Sequence, residues 1–153
     1  MTRARPKPPL LTGCTVRIPV RFAECDPYGV VWHGHYALYL EQAREALTAR
    51  FGFTASKALA LGYRVPITRM EIRYHLPILS DSVVAVTARL QPAEVARLRT
   101  DYEIRSEAGQ RLASAETEQV VLSSKNELLL KLPRELDRIV REIVRGQDSL
   151  DLD

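Results

Sequence analysis

The thirty residues from Arg21 to Arg50 constrain the fold of this chain more than any other stretch. Leading into them, Val16, Ile18, Val20 and Phe22 alternate with Thr15, Arg17, Pro19 and Arg21, the period of two of a half-buried strand. From about Gly34 the apolar positions recur at Tyr36, Leu40, Ala43 and Leu47, widened by Tyr39 and Ala46, which is one face of a helix. Cys25-Asp26-Pro27-Tyr28-Gly29 separates the two with turn chemistry. Aspartate accepts backbone N–H bonds, proline fixes φ, and glycine admits positive φ. A strand that turns directly into a long amphipathic helix predicts a helix laid against a sheet. Pro19 has no N–H for a ladder bond, so the strand is expected at an edge or a bulge.

Beyond the helix, Phe51-Gly52 ends it, with Gly52 as a C′ residue, and Thr54 caps a short second helix through Leu61. Residues 63–75, 82–90, 94–106 and 111–122 read as strands, with Glu107-Ala108-Gly109-Gln110 as a hairpin turn. In the first of these, Thr68, Met70, Ile72 and Tyr74 share a face; in the third, Ala96, Leu98, Thr100, Tyr102 and Ile104 do. Hairpin-length links predict that the four pair with one another as antiparallel neighbours. Pro133 suits the first position of a last amphipathic helix reaching Ile143. The class is therefore α+β, with five strands and one long helix. That helix covers one sheet face, and no second large helix is available for the other, so self-association is expected. Residues 1–12 read as a loose basic arm, 13–146 as one domain, and 147–153 as an acidic tail.

Charge and cysteine usage narrow the function classes. Arg3, Arg5 and Lys7 on the arm balance Asp148, Asp151 and Asp153 on the tail, leaving 19 basic and 16 acidic residues between them. No concentrated basic block appears, which speaks against nucleic acid as a partner. No apolar run of about 18 residues exists, so no membrane span is expected. The basic N-terminus is not followed by an apolar segment, and Cys14 and Cys25 are the only cysteines; both features favour a reducing, cytoplasmic compartment.

The chemistry gathers in the turn. Asp26 ends a strand seven residues before His33, beside a helix start whose unpaired N–H groups and dipole suit an oxyanion. A carboxylate there can attack a carbonyl or activate water; the plainer reading is that Asp26 only caps its own turn. Cys25 as a nucleophile has no histidine at a known spacing to support it. His33 and His35, with Asp26 or His75, give no recognised metal-ligand spacing, so neither metal nor cofactor is expected.

Asp26-Pro27-Tyr28-Gly29-Val30-Val31-Trp32-His33, followed by Tyr36 and Tyr39-Leu40-Glu41-Gln42-Ala43-Arg44, resembles the signature of the 4-hydroxybenzoyl-CoA thioesterase family. It is similar, more narrowly, to the bacterial acyl-CoA thioesterases that accompany the Tol-Pal genes. The resemblance spans roughly residues 14–135 and implies the hotdog fold, an antiparallel five-stranded sheet wrapped around one long central helix, in homodimers or homotetramers. It implies hydrolysis of acyl-CoA, with acyl-carrier-protein thioesters or noncatalytic acyl-CoA binding as the alternatives. Carried over by position, Asp26 becomes the catalytic nucleophile or general base. The backbone N–H at His33 polarises the thioester carbonyl, the His33 imidazole orients groups near the sulfur, and Gly29 lets the loop approach the acyl group. Another hotdog branch carries its carboxylate on the helix, where this chain has Glu41 and Glu45; the resemblance favours Asp26. Tyr28, Trp32, Tyr36 and Tyr63 are candidates to line an acyl pocket. Arg89, Arg97, Arg99 and Lys125 are candidates for the CoA phosphates, since guanidinium and ammonium groups pair with phosphate.

Overall fold

The computed structural model describes residues 9–152, so most of the expected N-terminal arm lies outside the described residues. Strand β1 (Cys14–Pro19) leads through a 3-10 turn (Phe22–Glu24) to a second one (His33–His35) and into helix α1 (Tyr36–Ala49). Helix α2 (Ala55–Ala60) follows, then β2 (Tyr63–Arg64), β3 (Ile67–Tyr74), β4 (Val83–Leu90), β5 (Arg97–Ser106), β6 (Arg111–Val120) and β7 (Leu122–Ser123). The chain closes with α3 (Arg134–Gly146) and a 3-10 segment (Gln147–Leu152).

Five strands form one antiparallel sheet in the order β1-β4-β5-β6-β3, and β2 pairs with β7 beside it. This corrects the expectation that β3 pairs with β4. Their link, residues 75–82, carries Pro77, buries Ile78 and makes its own bridge from Leu79 to Val30, so it crosses over instead of turning back. Strand β3 then pairs with β6, Met70 opposite Thr117, and β4 pairs with β1, Val16 opposite Val86. The edge position expected for the Pro19 strand holds, and Gly109 at φ 80° closes the β5–β6 hairpin. Pro66 ends the expected long strand 63–75 early, leaving β2 as a separate piece.

Helix α1 buries Tyr36, Tyr39, Leu40, Ala43 and Leu47 against the sheet, the stripe read from its period. The facing residues of β5, from Leu98 to Ile104, are buried as expected. Phe22 is not: it leaves the strand pattern at the 3-10 turn and is 84% exposed. Thr54 Oγ1 accepts the Lys57 N–H (3.2 Å), the expected cap of α2. Gly52, at φ 71°, lies two residues beyond the Arg50 C-cap of α1, one further than expected. Pro133 sits one residue before the first turn of α3, as its N-cap rather than its first helical residue.

The outer sheet face is covered by ion pairs rather than by apolar residues awaiting burial. Arg69 on β3 reaches Glu116 on β6 (2.5 Å), and Arg99 on β5 reaches both Asp101 (3.1 Å) and Glu116 (2.8 Å). Hydrogen bonding from Arg69 holds the Glu116 carboxyl below its usual range, with Arg99 acting in the same direction. A lattice of exposed pairs adds little stability per pair, but it removes the requirement that this face be buried in a partner.

At the C-terminus, Gln147, the first residue of the segment read as an acidic tail, is fully buried. Its amide closes on one residue of β4: Nε2 donates to Leu90 O (2.8 Å) and Oε1 accepts Leu90 N–H (2.9 Å). Gln147→Ala leaves two buried backbone groups unpaired, at about 1–3 kcal/mol each. Urea unfolding is expected to show a loss of about 2–5 kcal/mol, with the slope unchanged.

Candidate active site

The turn after β1 is built by its own backbone. Cys25 and Val31 bridge, the Asp26 N–H donates to Val30 O (2.9 Å), and the Gly29 N–H donates to Asp26 O (3.0 Å). Asp26 Oδ1 accepts the Tyr28 N–H (2.8 Å), so the carboxylate does cap its own turn, but with one oxygen only. The other takes no hydrogen bond among the described residues. Gly29 stands at φ 76°, and a Cβ there would meet nothing within 4 Å, so conformation rather than space demands glycine. The loop docks on the β3–β4 crossover, where Val31 N–H donates to Ile78 O (2.8 Å) and Ser80 N–H to Gly29 O (3.0 Å). The crossover that sequence missed is therefore what holds the Asp26 loop.

The helix starts in two stages. Trp32 N–H donates to Glu24 O (2.9 Å) and His35 N–H to Trp32 O (2.9 Å), closing the 3-10 turn that precedes α1. The N–H groups of His33 and Gly34 meet no acceptor among the described residues, as the first groups of a helix must. The Trp32 indole lies directly over Gly34: a Cβ at residue 34 would fall 2.1 Å from the ring. The same indole sits 4.9 Å from the His33 ring and 5.9 Å, edge-on, from that of His35. His33 is exposed; His35 is half-buried, with a buried, unpartnered Nδ1. Among the described residues no group of three or more His, Cys, Asp or Glu is placed to hold a metal ion.

The four aromatic candidates divide: Tyr63, on β2, lines a cavity beside α1 and α2, away from the other three. Tyr28 is 89% exposed at the loop tip and Trp32 48% exposed, whereas Tyr36 is buried with its ring 4.8 Å from Tyr74. Burial, then the charge of Tyr74, pushes the Tyr36 hydroxyl pKa up. Leu76 and Leu79, both exposed, extend this apolar surface along the crossover.

The cationic candidates are not gathered at this loop. Ser82 O accepts the Val20 N–H beside the loop, and β4 then runs away from it to Arg89, about 20 Å along the strand. Arg97 and Arg99 open β5 at that far end of the sheet, and Lys125 lies in the turn just past β7. Arg89 is engaged by Asp148 and by Thr12, and Arg99 by the outer-face acids; Arg97 and Lys125 are exposed.

A cavity of about 800 Å³ lies on the other half of α1, lined by Glu41, Arg44 and Thr48, by Ala58 and Leu59 of α2, and by Leu98. None of Asp26, Gly29 or His33 lines it. Volume alone assigns no chemistry; of the two helix carboxylates there, Glu41 is ion-paired to Arg44 and Glu45 is exposed. The loop adds to its carboxylate helix-start N–H donors, at His33 and Gly34, with no acceptor among the described residues.

Two residues of the site escaped sequence reading. Glu24 Oε1 accepts both the Arg21 N–H (2.8 Å) and the hydroxyl of Tyr39 (3.0 Å), which is fully buried. Burial and that bond to Glu24 push the Tyr39 hydroxyl pKa up. The available signal was a tyrosine on the most buried stripe of the helix, since a buried hydroxyl needs a partner.

Residues 20–140 match the family described as the Thioesterase-like superfamily. The chain is 28% identical over 115 residues to 1,4-dihydroxy-2-naphthoyl-CoA hydrolase of Thermosynechococcus vestitus, covering 74% of this chain and 79% of that one. Slr0204, a 1,4-dihydroxy-2-naphthoyl-CoA thioesterase from Synechocystis, superposes with a TM-score of 0.77 at 22% identity, over 88% of this chain and 97% of the other. TT1821, a hypothetical protein from Thermus thermophilus, superposes with a TM-score of 0.77 at 29% identity, over 85% and 98%. A family match across most of the length, on a five-stranded antiparallel sheet packed against one long helix, places this chain in the Thioesterase-like superfamily, as a thioester hydrolase with the hotdog fold.

Proposed function

We propose that this protein hydrolyses acyl-CoA thioesters to free acid and CoA, with Asp26 as the catalytic carboxylate. One observation carries the reading. A single short loop presents an aspartate oxygen and, a few residues on, two N–H groups, none of which has a hydrogen-bond partner among the described residues. Thioester hydrolysis needs both: a base or nucleophile for the carbonyl carbon, and donors for the oxygen that becomes negative. The carbonyl oxygen lodges on the N–H groups of His33 and Gly34, at the positive end of α1. Asp26 then attacks the carbon directly, forming a mixed anhydride that a water hydrolyses to the free acid in a second step, or takes a proton from a water that attacks the carbon itself. In either route the C–S bond breaks and the CoA thiolate leaves to be protonated. The signature shared with 4-hydroxybenzoyl-CoA thioesterases supports Asp26, and the relatives named for 1,4-dihydroxy-2-naphthoyl-CoA support an aromatic acyl group.

In this reading the site is completed by a second copy. Strand β3 is a free sheet edge, and Tyr28, Trp32, Tyr74, Leu76 and Leu79 leave an apolar surface beside it and the loop. A homodimer joined there, or a tetramer of such dimers, covers that surface. No helix among the described residues is long and apolar enough to cross a membrane, and we place the reaction in the cytoplasm.

Thiol release from a panel of aliphatic and aromatic acyl-CoAs tests the activity. Turnover of at least one aromatic acyl-CoA is the expected result. Turnover of carrier-protein thioesters alone would transfer the reading to that substrate class, and binding without turnover would make the protein a noncatalytic module. Because the proposed oxyanion donor at residue 33 is backbone, His33→Ala is expected to lose no more than about tenfold in kcat, well short of the loss from removing a general base. A larger loss would give the imidazole the leading role.

A further inference from the structure

Glu24 and Tyr39 lie outside the proposed chemistry, yet they join three pieces of chain that shape it: the segment at Arg21, the residue before the oxyanion donors, and helix α1. Glu24 is two residues before Asp26, and its carbonyl accepts the N–H of Trp32, the last residue before the oxyanion donors (2.9 Å). Its carboxylate accepts the Arg21 N–H at the end of the β1 segment (2.8 Å) and the Tyr39 hydroxyl from inside α1 (3.0 Å). The Cys25–Val31 bridge sits immediately inside this knot and Asp26 immediately inside the bridge. Tyr39 is fully buried, so its hydroxyl has no water to turn to if Glu24 is removed.

We infer that Glu24, held by Tyr39, is a positioning residue that fixes the Asp26 carboxylate relative to the N–H groups of His33 and Gly34. One side chain anchors the loop's incoming strand to the helix, and the same residue's backbone anchors its outgoing strand. Asp26 and the oxyanion donors lie on opposite sides of that anchor along the chain. Glu24 therefore ties the two together across the base of the loop, alongside Asp26's own turn and the crossover contacts from Ile78 and Ser80. A displacement of about 1 Å between reacting groups can cost on the order of a hundredfold in rate. The inference rests on the Asp26 reading above, and its test separates the two.

The test compares kcat and KM for acyl-CoA hydrolysis in Glu24→Ala, Glu24→Gln and Tyr39→Phe, alone and in an Asp26→Asn background. Glu24→Ala is expected to lower kcat by about 10–100-fold with KM within about threefold. Glu24→Gln keeps an oxygen that accepts both bonds, and should restore kcat to within about threefold of wild type. Tyr39→Phe removes one hydroxyl and leaves the rest of the knot; it should lower kcat by about 3–10-fold and provides the reading should Glu24→Ala fail to fold. With Asp26→Asn in place, Glu24→Ala should add no further loss, because two residues that act as one unit are not additive. Wild-type kcat in folded Glu24→Ala, or in Tyr39→Phe should Glu24→Ala not fold, overturns the inference. So does failure of Glu24→Gln to restore it, or full additivity with Asp26→Asn. Wild-type activity in Asp26→Asn alone overturns the Asp26 reading instead, and the inference with it.

Discussion

Asp26→Asn is expected to lower kcat/KM for acyl-CoA hydrolysis by about 10²–10⁴-fold, the range for removing a positioned acid–base group. The side chain keeps its shape and an oxygen that can still accept the Tyr28 N–H, so the turn that now uses Oδ1 survives. The change removes the negative charge and the second lone-pair-bearing oxygen. Unfolding temperature and oligomeric state should therefore match wild type. That pairing makes the result interpretable: loss of rate with the fold intact assigns chemistry to the carboxylate. Wild-type turnover would reduce Asp26 to a turn cap.

Gly34→Ala is expected to lower kcat by about a hundredfold through displacement rather than through loss of a functional group. The added methyl would lie 2.1 Å from the Trp32 ring, far inside contact distance. Either the indole leaves its seat over the helix start, or the peptide carrying the His33 and Gly34 N–H groups moves. Both outcomes disturb the proposed oxyanion donors. Truncating the ring relieves the clash, so Trp32→Ala combined with Gly34→Ala should recover part of the loss. The expected readout is a fall in kcat with modest change in KM, since the affected donors act mainly on the charge that develops during reaction. Unchanged kcat in Gly34→Ala would show that the helix start is not under this constraint.

The main organisation was legible because it depends on local period. The stripe Tyr36–Leu40–Ala43–Leu47 follows from the helical period and the inner face Leu98–Ile104 from strand alternation, and both are buried as read. Thr54, Pro19 and Gly109 act where their backbone chemistry requires. What period cannot supply is the choice of partner strand. Strand β3 pairs with β6, some forty residues on, because the 75–82 link is used to hold the Asp26 loop instead of making a hairpin. Phe22 continued the alternation in the sequence but not in space, because hydrogen bonding at Glu24 and Cys25 had already curled the chain into a 3-10 turn. The need for burial of the outer face was inferred from the lack of a second helix. Arginines and acids at alternate positions of β3, β5 and β6 meet that need through cross-strand pairing, which becomes visible only with the register.

The candidate site was legible to the same degree. Asp26, Gly29 and the start of α1 share one local stretch, so turn chemistry and helix physics locate them together. The Glu24–Tyr39 bond joins residues on different elements, and no local pattern announces it. Charge and a place near strand ends single out Arg89, Arg97, Arg99 and Lys125 for the CoA phosphates; of these, Arg89 and Arg99 pair with acids within the chain, at the end of the sheet away from the Asp26 loop.

The most direct test of the central claim is a crystal structure with a non-hydrolysable acyl-CoA analogue, its thioester sulfur replaced by a methylene. The carbonyl oxygen is expected about 2.7–3.1 Å from the His33 or Gly34 nitrogen, with the Asp26 carboxylate facing the carbonyl carbon. A carbonyl seated instead in the cavity beside Glu41 and Glu45, remote from Asp26, would contradict it.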